Sequence, residues 1–524
     1  MSGIRLALIV DNRSLTRWQV DALRLLGSQP KLVLSCTNTR LRRRWVKHGL
    51  YYVLNIFSIR NAWTRKAALQ DHFDDLEIID FESEYEGVWQ RLPDCVVDRI
   101  RGARPDAILK FGMSLMRVPE GLDIPILSYH HGDPDQYRGR PAGFYELLQR
   151  RSSMGQIVQI ISNKLDSGTV VAFARTRVHQ HSYRATMKEA YRHSPLLLKQ
   201  AVANAVSGRT LKKHCRGRNY RLPGNLLVLR LVWQMTAALL KRLFYGAFME
   251  KQWNVALAQA GSAAIGAPLP PRNAWRNVPR LPRYSFYADP FFCTHPSGII
   301  VEALNRHSGK GELVVIPSQG PQWTASDGRC HFSYPGSIVE DGQTYVIPET
   351  ARWSRPQAFL LSEGGLQPAG LLDIQGEHAI VDPTLFRHDG RLYLFGNKAE
   401  IGSGALCLWS SDQLFGRFVE HPASPLLISP AGARMAGGLV RNQQGLFRLG
   451  QNGLGSYGDG IFVFQIQDLT PLNYRETLVD ELRFDGVRGP HTINWKDGEV
   501  LFDWYEDILT PFAWLRRLRG RLPR

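Results

Sequence analysis

No two of the chain's six cysteines lie close together: Cys36, Cys95, Cys215, Cys293, Cys330 and Cys407 are scattered over 524 residues. That spacing excludes a zinc-ligand motif and a dense disulfide framework, so no metal is expected and a reducing cytoplasm fits best. Long apolar runs are missing too. The best candidate, around Leu226 to Met249, is broken by Arg230, Lys241 and Arg242. Its uncharged stretch, Leu231 to Leu240, is too short to cross a bilayer. The opening MSGIRLALIVDN has one Arg and a short apolar run ending at Asp11, too little for a signal peptide's apolar core and expected to form a first β-strand. What remains is 44% apolar, 10% aromatic and 21% charged, the composition of a folded protein of two to four domains.

Acid is absent from particular places. Residues 40–66 hold eight Lys/Arg and no Asp or Glu, residues 206–253 hold ten against Glu250 alone, and residues 511–524 hold five Arg and no acid. Together they exceed the net +18 of the whole chain, so the rest of the body is slightly acidic. Each segment interleaves its charge with Trp, Phe, Tyr or Leu, which suits a helix lying in the headgroup region of an anionic membrane. Solvated helix faces packed on the body by their apolar sides are the alternative. No helix-turn-helix, zinc-finger or RNA-sheet signature appears, so specific nucleic-acid binding is not expected.

Two textures divide the chain. Residues 1–180 alternate strand-like runs (RLALIV, KLVLSC, LEIID, DAILKFG, IPILSYH, GQIVQIIS) with helix-compatible stretches, the pattern of a parallel α/β sheet with function at the strand C-termini. From about Tyr284 a repeat appears: small residue or Asp, apolar strand, Gly turn, apolar strand. Anchors at Asp289, Gly336, Asp382, Ala436 and Pro490 are spaced by 47, 46, 54 and 54 residues. Near-constant spacing of that size predicts five propeller blades. The expected organisation is an α/β domain over 1–205, a basic amphipathic helical segment and linker over 206–280, an all-β five-bladed propeller over 281–510, and a basic tail over 511–524.

The segment from Ile124 to Val171 carries most of the chemistry. It places His130 at a strand end, follows it with a Gly/Asp/Pro-rich loop and a helix, and returns to a turn holding Asp166. A carboxylate in such a position can orient an imidazole and stabilise its charged form. The run Ser128-Tyr129-His130 through Tyr137-Arg138-Gly139, with the later Leu165-Asp166-Ser167-Gly168, resembles the catalytic core of the 10-formyltetrahydrofolate-dependent formyltransferases. The resemblance covers roughly residues 1–180 and implies a Rossmann-like formyltransferase domain. It implies His130, Asp166 and Ser128 as catalytic residues, with 10-formyltetrahydrofolate as formyl donor. Phe111, Gly112, Met113 and Leu115 would bind the folate, with Tyr137 and Arg138 toward the substrate. For Arg138 and Gly139 a helix-entry turn is the alternative. The family's Asn is Ser128 here, a shorter side chain with one hydroxyl donor for an oxyanion. His131 and Asn163 are the nearby groups that could replace it.

In the second half, Asp289-Pro290, Asp382-Pro383, Glu349 and the run Arg488-Gly489-Pro490-His491 resemble the five-bladed arabinanase and β-xylosidase glycosidase clan. Arg488 stands where that clan has its acid, and a guanidinium cannot donate a proton at working pH. Glycan binding by Asp289, Glu349, Asp382 and Arg488 is therefore expected over hydrolysis, with the four converging on one funnel. The propeller is also similar to that of plant transferases acting on inositol-phosphoceramides. The combined expectation is formyl transfer to an amino sugar in glycan biosynthesis, in the cytoplasm or peripherally on the inner face of the cell membrane. A carbohydrate-binding or glycosidase-like propeller on an inactive formyltransferase scaffold is the alternative.

Overall fold

The structure, a computed structural model, describes residues 4–38, 45–164, 168–259, 268–326, 328, 330–350, 354–455, 457–511 and 513–515. The chain forms two compact units, Met1–Lys241 and Arg242–Arg524. The first is an α/β sheet. Its main strands are β1 (Leu6–Asp11), β2 (Leu32–Cys36), β3 (Glu77–Phe81), β4 (Ala107–Lys110), β5 (Ile126–His130), β6 (Ser153–Ile160) and β7 (Thr169–Arg177). Their order is β3-β2-β1-β4-β5-β6-β7, with the first five parallel, β6 antiparallel to β5, and β7 antiparallel to β6. Residues Leu6 to Val10 are wholly buried, as a central parallel strand covered on both faces requires. The chain turns from one side of β1 to the other between β3 and β4, which makes the C-terminal edge of β1 and β4 the switch point where such sheets bind ligands.

Helices flank the sheet. Helix α1 (Arg17–Leu26) starts with a reciprocal box between Thr16 and Gln19 and stops at Gly27, whose φ of 68° suits glycine. It presses Trp18 edge-on to Phe111 and Tyr129. Helix α2 (Trp45–Ser58), helix α3 (Asp94–Ala103), helix α4 (Tyr183–Val206) and helix α5 (Asn225–Phe248) follow.

The second unit is a five-bladed propeller. Blade one runs Tyr284–Cys293 to Trp323–Thr324, blade two Phe332–Glu340 to Gly365–Leu371, blade three Ile380–His388 to Arg417–Glu420, and blade four Ala431–Met435 to Tyr474–Leu482. Blade five is assembled from both ends of the unit. Ile493–Lys496 and Glu499–Leu509 are joined by Met249–Gln259 and Arg276–Asn277. Met249–Gln259 pairs antiparallel with Glu499–Leu509 over its entire eleven residues, closing the ring. This corrects the expected helical connector over 206–280: its last described part is blade, because MEKQWNVALAQ finds its partner some 250 residues later and carries little strand alternation of its own. Residues 260–267 of that linker, and 516–524 of the tail, lie outside the described residues.

In each of the first three blades the inner strand is interrupted where a residue with positive φ precedes a proline. These are Asp289 (46°), Tyr334 (43°) and Asp382 (48°), each inside a register shift against the second strand. Bulges of this kind re-aim a side chain out of the pleat. They account for the Asp-Pro pairs that anchor the repeat.

Candidate functional site

In the α/β unit, Ser128 pairs with Lys110 of β4 on one side and Gln159 of β6 on the other, while His130 ends the strand opposite Ile157. Alternation puts Ser128 and His130 on one face and Tyr129 and His131 on the other. His130 Nε2 lies 3.1 Å from the carbonyl oxygen of Tyr137, so the proton on that nitrogen is donated there. The chain returns to this place. Gly168 donates its N–H to Gln159 Oε1 at 3.1 Å, and a Cβ at Gly168 would collide with the Ile160 carbonyl. Gly168 is thus anchored against the residue that pairs with Ser128. Asp166 itself lies outside the described residues.

The expected folate strip runs past the switch point. A Cβ at Gly112 would sit 2.5 Å from the Val10 carbonyl carbon and 2.7 Å from Asp11 N, so only glycine lets β4 exit this close to β1. The N–H groups of Phe111 and Gly112 both reach the Ile9 carbonyl (2.8 and 2.9 Å), and Met113 N–H reaches Asp11 Oδ1 (2.9 Å). The side chains do not line one surface. Phe111 stacks on Tyr129 (6.0 Å), on the face away from His130. Met113 is buried among core residues, and Leu115 gives its carbonyl to Gln90 N–H at 2.7 Å.

Tyr137 and Arg138 hold the loop itself. The Tyr137 hydroxyl donates to Gln149 Oε1 (2.6 Å) and accepts from Arg151 Nε (3.0 Å); Arg138 Nε donates to the Gly217 carbonyl (2.8 Å). Residues Tyr137–Gly139 pair in parallel with Arg218–Tyr220, so strand pairing stands where the alternative reading had a helix-entry turn. Of the two candidate substitutes for Asn, His131 is not free for that part. His131 packs on Trp18 and Tyr191, lies 2.9 Å from Ser194 Oγ, and is driven down to about pKa 3 by burial and by His130. Asn163 turns its amide oxygen to Val118 N–H (2.8 Å). A basic residue that the sequence did not single out, Lys213, bridges the buried Asp133 (3.0 Å) and Asp135 (3.4 Å) and covers the Phe173 ring, stitching the basic segment onto the His130 loop.

The propeller gathers a larger charged cluster. Asp503, fully buried, accepts the N–H groups of Asp289 (3.1 Å), His491 (2.8 Å) and Thr492 (2.8 Å) and faces His491 Nδ1 at 3.1 Å. His491 Nδ1 also lies 3.2 Å from Asp289 Oδ1. Burial opposes a charge on His491, but Tyr457, Asp289 and Asp503 hold its pKa well above the usual value. Its Nε2 is buried with no hydrogen-bond partner among the described residues, beneath the rings of Tyr457 (4.6 Å) and Trp253 (5.0 Å). The ligand atoms of Asp289, His491 and Asp503 lie within 4.8 Å of one another, as in a metal site. Asp503 is already filled by N–H donors, and both carboxylates favour a proton on His491 Nδ1 over a free lone pair.

Asp382 is clasped by Arg434, through Nε and through NH2 at 3.0 Å, and by Gln451 Nε2 at 3.0 Å. Its N–H donates to Glu349 Oε2 at 3.2 Å, and Arg434 lies 3.7 Å from that same oxygen. Burial and the charge of Asp382 push Glu349 up to about pKa 8. Burial and then Asp289 push Glu302 well above the carboxylate range, while Asp289 stays low beside His491 and Thr492 despite its burial. Glu349 is thus pushed toward holding a proton in its pair with Asp382, and Glu302 is pushed the same way beside Asp289. The Arg434 guanidinium lies 5.3 Å from the Tyr457 ring, linking the Asp382 pair to the His491 cluster. Asp289, Glu349 and Asp382 thus share one network. Arg488 sits at its edge, its side chain 60% exposed and 3.6 Å from Asp459, which also accepts the Tyr505 hydroxyl. Glu302, Arg434, Gln451, Tyr457 and Asp503 were not expected.

Residues 277–496, the propeller without its closing strands, match the family Glucosamine inositolphosphorylceramide transferase 1, N-terminal. The rice (Oryza sativa subsp. japonica) protein of that name is 27% identical over 210 residues, which is 37% of this chain and 28% of the rice protein. The Arabidopsis thaliana protein is 25% identical over 263 residues, 44% of this chain and 34% of its own length. The matched region thus spans about a third of these relatives. Among solved structures, a sugar 3N-formyl transferase crystallised with dTDP and 5-N-formyl-THF aligns at 10% identity and a TM-score of 0.29, covering 61% of this chain and 99% of that one. Phosphoribosylglycinamide formyltransferase from Anaplasma phagocytophilum aligns at 13% identity and 0.28, covering 39% and 88%.

Proposed function

We propose that the protein is a transferase acting on an amino sugar: the α/β unit moves a formyl group from 10-formyltetrahydrofolate to the sugar amine, and the propeller holds the glycan. The observation that carries this reading is the edge of β5, where Ser128 and His130 share a face and the chain returns at Gly168. The folate supplies the activated formyl group. Around it, Ser128 would donate its hydroxyl to the oxygen where negative charge develops, and His130 would take the proton of the sugar amine and return it to the nitrogen that gives up the formyl group. The resemblance gives Asp166 the task of orienting His130. The strip Phe111–Leu115, at the switch point beside Ser128's strand, would hold the folate.

The propeller's part follows from its chemistry. Protonated Glu349 and Glu302 donate hydrogen bonds, Asp289 and Asp382 accept them, and the partly exposed Tyr457 ring offers an apolar face, a combination suited to sugar hydroxyls above a ring. The relatives' name supports an amino sugar as the ligand class. The second reading, a carbohydrate-binding propeller on an inactive scaffold, is favoured by Ser128 itself, since losing one oxyanion donor typically costs about 100- to 1,000-fold. Incubation with 10-formyltetrahydrofolate and a panel of nucleotide-linked and lipid-linked amino sugars, following tetrahydrofolate release, separates the two. Release that depends on both acceptor and His130 supports the first; glycan binding without release supports the second.

A further inference from the structure

Two helices of the α/β unit turn apolar stripes to solvent. On α2, Val46, Leu50, Val53 and Phe57 follow one another at steps of four, three and four residues, one face of a helix. Val46 is 96% and Phe57 69% exposed. On α5, Leu226, Leu229, Trp233 and Leu240 follow at steps of three, four and seven residues, again along one face, with Leu226 at 78% and Trp233 at 74% exposed. The inner faces of both helices are in the core, through Tyr51 of α2 and Val228 and Leu231 of α5. The two are pinned together. Asn225 accepts the Leu50 N–H (3.1 Å) and donates to the Val46 carbonyl (3.0 Å), and His48 Nδ1 lies 2.9 Å from the Pro223 carbonyl oxygen. Neither helix contains an acidic residue, whereas Lys47, Arg230 and Lys241 are all exposed on them.

We propose that this paired α2/α5 surface docks the protein on an anionic lipid bilayer, with the stripes entering the headgroup boundary and the basic residues facing lipid phosphates. Contiguous exposed apolar surface rimmed by polar groups marks an interaction site. Charge of one sign selects the partner: a second copy would bring basic residues onto basic residues, whereas an anionic membrane meets both the charge and the apolar stripe. The helix lies in the interface and does not cross. About ten uncharged residues between Arg230 and Lys241 cover only about 15 Å of the roughly 30 Å of hydrocarbon, and no helix among the described residues is long and apolar enough to span. Exposed Trp233 and Trp45 suit the headgroup level.

Cosedimentation of the full chain with phosphatidylcholine vesicles, with and without phosphatidylserine, is the test. Binding is expected with phosphatidylserine and is expected to fall with added salt. The variant Arg230→Gln/Lys241→Gln should bind about thirtyfold more weakly, and Phe57→Glu/Trp233→Glu should lose binding. These side chains are exposed, so circular dichroism should be unchanged; Trp233→Phe, which keeps the apolar face, should retain binding and controls for misfolding. No sedimentation at low salt, equal binding to neutral vesicles, or unaltered binding of the Glu variant overturns the proposal. So does a dimer in sedimentation velocity that the Glu variant abolishes, which would give the face to a second copy.

Discussion

Replacing Glu349 with Gln isolates one of the protons that the propeller holds. Glu349 is mostly buried, accepts the Asp382 N–H at 3.2 Å, and is pushed up to about pKa 8 by burial and by Asp382. An unfolded Glu titrates near 4.3. The folded value is the higher one, so the group's contribution to stability is complete below the unfolded pKa and is lost as pH rises toward about 8. Within that window the native state holds one proton more than the unfolded chain, and unfolding free energy falls by about 1.4 kcal/mol per pH unit. Gln has the same shape, can accept the Asp382 N–H and donate to the Asp382 carboxylate, and cannot ionise. The expected result is near-equal stability at the acid end, within about 1 kcal/mol. The variant then gains steadily on the wild type up to about pH 8. Glu302 has the same sign of shift, so part of the slope persists in the variant. Urea titration read by hydrogen exchange and mass spectrometry follows propeller peptides separately from those of the α/β unit. Parallel pH curves for the two proteins, or a variant that is weaker at every pH, would refute the shared-proton account.

Arg434→Met strips Asp382 of its guanidinium and leaves a buried carboxylate short of a partner; the same measurement should show the propeller destabilised by about 3–5 kcal/mol. Gly112→Ala puts a methyl against main-chain atoms of Val10 and Asp11 that cannot yield. It should lower the thermal stability of the α/β unit by about 1–3 kcal/mol, with lost exchange protection in β1. His130→Ala should abolish tetrahydrofolate release with both units still folded, and Ser128→Asn should preserve or raise it, because the amide is a longer-reaching donor. A complete loss in Ser128→Asn would show that the hydroxyl has another task or that the wider group does not fit.

What was legible in the sequence is what local chemistry dictates. The parallel strands announce themselves because burial on both faces demands unbroken apolar runs such as LALIV. The blade repeat is visible because each bulged inner strand needs a tolerant residue type at one position, and Asp289 and Asp382 occupy it. The partners that give those aspartates their chemistry come from elsewhere in the fold. Glu302 reaches Asp289 from the second strand of its own blade, opposite Ala288; Glu349 and Arg434 reach Asp382 from the blades on either side; Asp503 arrives from the strand that closes the ring. Ring closure depends on Met249–Gln259, which has no signal until its partner is known. The α2 and α5 stripes show another relation. Their apolar residues, interleaved with base, suit either an anionic membrane or packing on the body, and the structure shows that these faces stay open. Where an amphipathic pattern survives folding without a protein partner, the accompanying charge is the remaining guide to what covers it, and on these two helices that charge is wholly positive.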